Sequence, residues 1–273
     1  MSYTTINGIQ INYEIHGDSG EPLVLVHGYT GDLTDWRRQL PEFAPTNRVL
    51  IMDHRGHGQS GGASDRASYN ILEMADDVEA LVEHVGFDRY HLLGHSMGGT
   101  IVQEIALRHP GRLMSLTLED TAFKFSMREN EIATKFIAYR NQIAEEQGMA
   151  GILAMPKLTE PPMHMPKERS AETDIRLSKM SVDAYIGALQ GLEAWEGTEH
   201  RAQDIGVPTM VLYGELDAPL IVGASKFLAK TIPGAVLEKV PEAAHSPQYE
   251  RPQIFNPALR RHLDRNASVS AAK

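Results

Sequence analysis

Leu92-Leu93-Gly94-His95-Ser96-Met97-Gly98-Gly99-Thr100 closes a short apolar run, Tyr90 to Leu93, and leads at once into a helical pattern through Ile101, Val102, Ile105 and Ala106 that stops at His109-Pro110-Gly111. A buried strand that turns this sharply into a helix forces the residue at the bend into a strained backbone. Glycines at 94 and 98 then leave room where strand and helix nearly touch. The Ser96 hydroxyl is expected to project into a cleft at a helix N-terminus, the arrangement of a nucleophile elbow.

Outward from this bend, strands and helices alternate. Tyr3–Ile6 and Ile9–Ile15 flank Asn7-Gly8, a hairpin signal, so the chain should open with an antiparallel pair. Leu23–Val26 and Arg48–Met52 read as strands buried on both faces. A helix is expected near Asp35–Leu40, and a longer one over Asn70–Val85, where Asn70 and Glu73 form a capping box. Leu113–Leu118 is strand-like. From 122 to 200 the strand signal vanishes, the pattern becomes helical with breaks at Pro156, Pro161, Pro162 and Pro166, and Ser181 can cap a helix carrying Val182, Tyr185, Ile186 and Leu189. Alternation resumes with Val207–Tyr213, a helix over Leu220–Ala229, a strand over Val236–Val240 and a last helix over Pro252–Leu263. The expected fold class is α/β: a mostly parallel sheet with helices on both faces, formed by 1–121 and 201–265, an inserted helical cap over 122–200, and a frayed tail over 266–273.

A serine hydroxyl needs a base to take its proton and an acid to hold that base in one tautomer. Val211-Leu212-Tyr213-Gly214-Glu215-Leu216-Asp217 puts Asp217 in the loop after one late strand, and Val240-Pro241-Glu242-Ala243-Ala244-His245 puts His245 after the next. Of the 12 histidines, His245 alone lies in the loop that follows the last strand. Glu215, Glu119 and Asp120 are the competing acids. The order Ser96, Asp217, His245 and the elbow resemble the α/β-hydrolase family, a likeness that covers about 3–121 and 202–264.

That resemblance implies an oxyanion hole from the backbone N–H groups of Met97 and of Tyr29, the latter in His27-Gly28-Tyr29, which is similar to the family's His-Gly-x loop. Serine at the elbow sets aside dehalogenases and epoxide hydrolases, which carry aspartate there. Ala244 departs from a common glycine and bears mainly on the turn. The implied activity is hydrolysis of a small carboxylic ester or lactone through an acyl-enzyme, with no cofactor. An enol-lactone or a carbon–carbon bond of a ring-fission product would suit the same residues, and a ligand sensor with little turnover is the alternative from another class. Tyr29, Tyr185, Trp195 and six methionines at 127, 149, 155, 163, 165 and 180 are candidate walls of an adaptable apolar pocket, or plain core.

Other functions are disfavoured. A formal charge of -10 opposes nucleic acid and anionic membranes as partners. The absence of cysteine excludes disulfides and thiolate chemistry. The glycines of Asp53-His54-Arg55-Gly56-His57-Gly58-Gln59-Ser60 do not stand where a dinucleotide fingerprint requires them, and Asp53 and Arg55 are expected to brace the loop. Asp53, His54 and His57 lack a third metal ligand at a known spacing, so no metal is expected. With no signal-peptide pattern and no apolar run near ~20 residues, the cytoplasm is the expected compartment. A homodimer is compatible with the sequence.

Overall fold

The computed structural model describes residues 2–125, 131–156 and 167–267. Its strands are β1 (Ser2–Ile6), β2 (Ile9–His16), β3 (Glu21–Val26), β4 (Asn47–Met52), β5 (Tyr90–His95), β6 (Leu113–Glu119), β7 (Thr209–Gly214) and β8 (Val236–Val240). They form one sheet in the order β1-β2-β4-β3-β5-β6-β7-β8. Only the β1–β2 and β2–β4 pairings are antiparallel. The hairpin turns at Asn7 (φ 48°) and Gly8 (φ 79°), both left-handed as a two-residue hairpin loop requires.

Alternation within each strand sends side chains to two cores. Leu23, Leu25, Val49, Ile51 and Leu93 pack with Trp36 and Phe43 and with Phe255, Leu259 and Leu263 of the last helix. Val24, Val26, Leu50, Met52 and Leu92 face the opposite layer. Strands covered on both sides need apolar residues at every position, and this accounts for their unbroken runs.

The expected helix at 35–40 is instead a 3-10 turn over Leu33–Trp36, followed by the short α1 (Leu40–Phe43). Asp32 caps the 3-10 turn by accepting from the Thr34 N–H. Helix α2 (Ile71–His84) starts where the Asn70 side chain accepts from the Glu73 N–H at 3.0 Å. The Glu73 carboxylate goes to Arg55 at 3.3 Å, so this is a single cap with Glu73 recruited by a tertiary partner. Helix α3 (Met97–Arg108) follows β5 directly.

Between β6 and β7 the described residues contain no strand. They form α4 (Glu131–Ala154), bent where Gly148 takes φ 67°, then α5 (Lys167–Leu177) and α6 (Val182–Ala194). Ser181 caps α6 by accepting from the Ala184 N–H at 3.0 Å. Met149 and Met180 are buried in apolar packing with Ala144, Ile152 and Leu177, while Met127, Met163, Met165, Pro161, Pro162 and Pro166 lie outside the described residues. Helix α7 (Pro219–Thr231) joins β7 to β8, and α8 (Pro247–Glu250) and α9 (Pro252–Arg265) end the chain as described, the tail from 268 lying outside it.

Register decides where chemistry can gather. Val26 lies opposite Gly94, His95 opposite Glu119, Glu119 opposite Leu212, and Gly214 opposite Val240. The loops that leave β3, β5, β6, β7 and β8 therefore open side by side along the C-terminal edge of the sheet, where ligands of parallel α/β sheets bind. No helix among the described residues is long and apolar enough to cross a membrane.

Candidate active site

Ser96 occupies the bend between β5 and α3 with φ 55° and ψ -117°, a conformation that costs a non-glycine residue roughly 1–3 kcal/mol. Its neighbours explain how the strain is held. A Cβ on Gly94 would run into the Gly98 backbone and the Val102 side chain, and a Cβ on Gly98 would strike the carbonyls of Val26 and His27. The Ser96 N–H donates to the Glu119 carbonyl at 2.9 Å, tying the bend to the next strand.

Ser96 Oγ lies 2.9 Å from His245 Nε2, and His245 Nδ1 lies 2.8 Å from Asp217 Oδ2. The remaining Asp217 oxygen accepts from the Ala218 N–H at 2.6 Å. Burial opposes ionisation of Asp217, yet the hydrogen bond and charge of His245 hold its carboxyl below the ordinary value. A carboxylate there keeps the proton on Nδ1 and leaves the Nε2 lone pair facing the serine.

The competing acids are sent elsewhere. Glu215 is exposed and pairs with Lys239 at 2.6 Å. Glu119 is fully buried and accepts from the Gln248 N–H at 3.2 Å. Asp120 is also fully buried, with φ 40°, and accepts from the Gly214 N–H at 2.9 Å. Burial and the charge of Asp217 push the Asp120 carboxyl well up, which favours a proton on this group beside Asp217.

Three supports of the histidine loop follow from local chemistry. His95 Nε2 lies 2.6 Å from the His245 carbonyl, and burial with the adjacent His245 pulls the His95 imidazole down to about 3, so it stays neutral and donates. The Glu250 carboxylate accepts from the N–H groups on either side of His245, at 2.9 Å from Ala244 and 3.0 Å from Ser246. Sequence reasoning passed over Glu250. The available signal was its place in the Ser246-Pro247-Gln248-Tyr249-Glu250 helix start, where an acid meets free N–H groups.

The loop after β3 lies against the serine. A Cβ on Gly28 would come within 3.0 Å of the Ser96 Cβ. The loop turns through a Gly31 N–H to Gly28 carbonyl bond of 3.0 Å, and Thr30 has φ 59°. Met97 is the first residue of α3, so its N–H has no acceptor within the helix and faces the serine end. Below this loop the imidazoles of His27, His54 and His57 cluster in tilted and edge-on contacts, with ring centroids 4.3 to 6.1 Å apart. Burial keeps His54 and His57 neutral, the latter pulled down to about 3. Asp53 accepts from the N–H groups of Leu33 (2.7 Å) and Gln59 (2.8 Å) and from Asn12 Nδ2 (2.8 Å), bracing two loops at once. Arg55 turns away and grips Asp77 of α2 with Nε at 2.6 Å. No group of side chains among the described residues is arranged to hold a metal ion.

The aromatic candidates divide. Tyr185 is buried against Tyr29, with ring centroids 5.7 Å apart. Trp195 is placed differently: its indole N–H donates to Glu104 at 2.8 Å, and Arg201 pairs with the same carboxylate at 2.6 Å. Glu104 stands eight residues along α3 from Ser96, about 12 Å at 1.5 Å per residue, so Trp195 fastens the inserted segment to α3 instead of walling the serine. A buried indole goes where its N–H finds an acceptor, which the sequence does not display.

A family model for the alpha/beta hydrolase fold matches residues 21–252. The chain belongs to the α/β-hydrolase fold family. Among curated relatives, 3-oxoadipate enol-lactonase 2 of Acinetobacter baylyi is 28% identical over 263 residues, 93% of both chains. The dihydrolipoyllysine-residue acetyltransferase component of an acetoin cleaving system from Pseudomonas putida is 32% identical over 249 residues, 89% of this chain, and the chain spans 64% of that longer protein. The crystal structure of an enol-lactonase from Burkholderia xenovorans superposes with a TM-score of 0.84 at 25% identity, covering 96% of this chain and all of that one. Family and neighbours together support a hydrolase.

Proposed function

We propose that this α/β hydrolase is a serine hydrolase that cleaves a small carboxylic ester or lactone through an acyl-enzyme. The observation that carries the proposal is the unbroken relay from Ser96 Oγ to His245 Nε2 and from His245 Nδ1 to Asp217, at 2.9 and 2.8 Å. His245 takes the hydroxyl proton as Ser96 attacks the carbonyl, and Asp217 stabilises the imidazolium that forms. The developing oxyanion is received by the N–H groups of Met97 and Tyr29, each such donor being worth about 10²–10³ in rate. His245 then protonates the leaving oxygen. In the second half it activates a water that releases the acid and restores Ser96.

Helices α4–α6 act as the cap that closes over this edge and sets the substrate. In a lactone the leaving oxygen stays tethered to the acyl group, so the same steps open a ring, and the enol-lactonase relatives favour that member of the class.

The test is turnover of p-nitrophenyl acetate and a panel of small lactones by the wild type and Ser96→Ala, with mass spectrometry after a p-nitrophenyl phosphonate. The expected result is one phosphonyl adduct on the Ser96 peptide and a loss of at least about 10³-fold in kcat/KM in the variant. Equal turnover by both proteins would overturn the proposal. A ligand that stabilises both proteins while neither turns over any ester or lactone would instead support a sensor.

A further inference from the structure

Tyr29 belongs to the core through its backbone and to the inserted helices through its side chain. Its backbone is in the loop whose Gly28 presses on the Ser96 Cβ. Its hydroxyl donates to the Tyr185 carbonyl of α6 at 2.8 Å. The ring is held between two others: His57 of the core meets it edge-on with centroids 6.5 Å apart, and Tyr185 lies 5.7 Å away on the cap side.

The far end of this linkage is rigid. Gly187 and Gly191 let α6 settle onto the Arg66–Asn70 stretch, where a Cβ on Gly187 would meet the Arg66 carbonyl and Tyr69 ring, and one on Gly191 would meet the Tyr69 carbonyl. Arg66 adds ion pairs to Asp183 of α6 (2.5 Å) and Glu145 of α4 (2.6 Å). At the near end the Tyr29 loop turns through the positive φ of Thr30, and the bonds that close it, from the Gly31 N–H (3.0 Å) and from His27 Nδ1 (2.8 Å), both meet the Gly28 carbonyl, so the Tyr29 side chain adds a separate hold on the loop. A hydrogen-bond donor that must meet a developing oxyanion within a few tenths of an ångström gains from being fixed before the reaction.

We infer that the Tyr29 side chain is a positioning residue, a clasp by which the seated cap holds the Tyr29 N–H in the geometry that receives the oxyanion. The inference rests on the acyl-enzyme reading above. Closure of the cap then does more than exclude water: it completes the hole, and a substrate that holds the cap open meets an incomplete one. Burial, reinforced by neighbouring Tyr185, pushes the phenol well above its ordinary range, so it remains a neutral donor at any pH at which the protein works.

Tyr29→Phe removes the hydroxyl and keeps the ring in its slot, and Tyr29→Leu removes both. Each is compared with wild type for kcat and KM on p-nitrophenyl acetate, and for affinity to an alkyl trifluoromethyl ketone, which adds to serine to place an oxyanion in the hole, against the unreactive methyl ketone. The expected result is that Phe lowers kcat and trifluoromethyl-ketone affinity together by about 5- to 100-fold, less than outright loss of a donor, with KM and methyl-ketone affinity changed less than about 3-fold. Leu should add little to the loss in kcat beyond Phe. Unchanged kcat and ketone affinity in Phe would overturn the clasp, as would restoration of full activity by Phe where Leu fails, since that marks simple packing. A loss confined to KM would overturn it too, by showing a substrate contact. If Ser96→Ala retains turnover, the acyl-enzyme reading fails; if that variant is inactive and Tyr29→Phe behaves as wild type, only the clasp fails.

Discussion

Ser96, His245 and Asp217 are 28 to 149 residues apart in the chain, yet His245 lies within 3 Å of both of the others. His245→Gln and Asp217→Asn should each lower kcat/KM by about 10³–10⁴-fold with little change in KM, read from steady-state rates on a chromogenic ester. Asp120 calls for two variants. Asp120→Asn keeps an acceptor for the Gly214 N–H and a donor for Asp217, and should leave the urea midpoint nearly unchanged. Asp120→Ala orphans that buried N–H and should cost about 1–3 kcal/mol in the same titration. The Ser96 bend and the place of His245 were legible because the bend has a local backbone reason and His245 lies in the loop after the last strand. The neutral, supporting role of Asp120 was not, because it depends on a turn 94 residues away.

At the scale of elements, Asp35 is a buried ionic tie between core and inserted segment. Burial alone would push its carboxyl up, but Arg169 and Arg176 of α5 hold it well below the ordinary carboxylate range, with Arg169 Nη1 at 2.5 Å. All three residues are nearly inaccessible to solvent. Asp35→Asn would leave two buried guanidinium groups facing a neutral amide, and should destabilise the protein by about 3–5 kcal/mol, measured by urea unfolding, with earlier proteolysis within α5. Gly191→Ala should lift α6 from Tyr69 and, by loosening the hold of Tyr185 on Tyr29, lower kcat on p-nitrophenyl acetate, read from steady-state rates, since the displaced surface is the cap's seat. Helical character between β6 and β7 was readable from the lost two-residue alternation, and the caps at Asn70 and Ser181 from one residue each. The partners of Asp35, Glu73 and Trp195 were not, since periodicity reports which face of an element is buried and says nothing of what buries it.

For the molecule as a whole, the predicted pH response follows from neutral buried histidines. His54, His57, His91, His95 and His262 are all pulled down by burial, His57 and His95 to about 3 and His262 to about 4. The unfolded chain binds protons at these sites near pH 6.5, so it gains protons the native state refuses, and stability falls as pH drops below that value by up to about 1.4 kcal/mol per unit for each histidine. Glu119, Asp120, Asp53 and Glu79, pushed up by burial, act in the opposite sense and offset part of the histidine contribution. Urea unfolding between pH 7 and 5 should show the decline, and His57→Gln should reduce its slope by about 1 kcal/mol per pH unit. An unchanged slope would mean that His57 is protonated in the native state.

The alternation of apolar runs with helical faces, the glycine-flanked bend at Ser96 and the order of serine, acid and base are properties of neighbours along the chain, and each has a steric or periodic cause that acts within about a dozen residues. They were enough to settle the class of fold and to nominate Ser96, Asp217 and His245, which the fold brings into one hydrogen-bonded chain. The choice of Glu250 to clamp His245, of Asp120 to receive the Gly214 N–H, of Glu104 to capture Trp195 and of Tyr29 to reach Tyr185 came from register and burial. A polar group removed from water must find whichever partner the packed sheet edge brings within 3 Å, and that partner comes from any part of the chain.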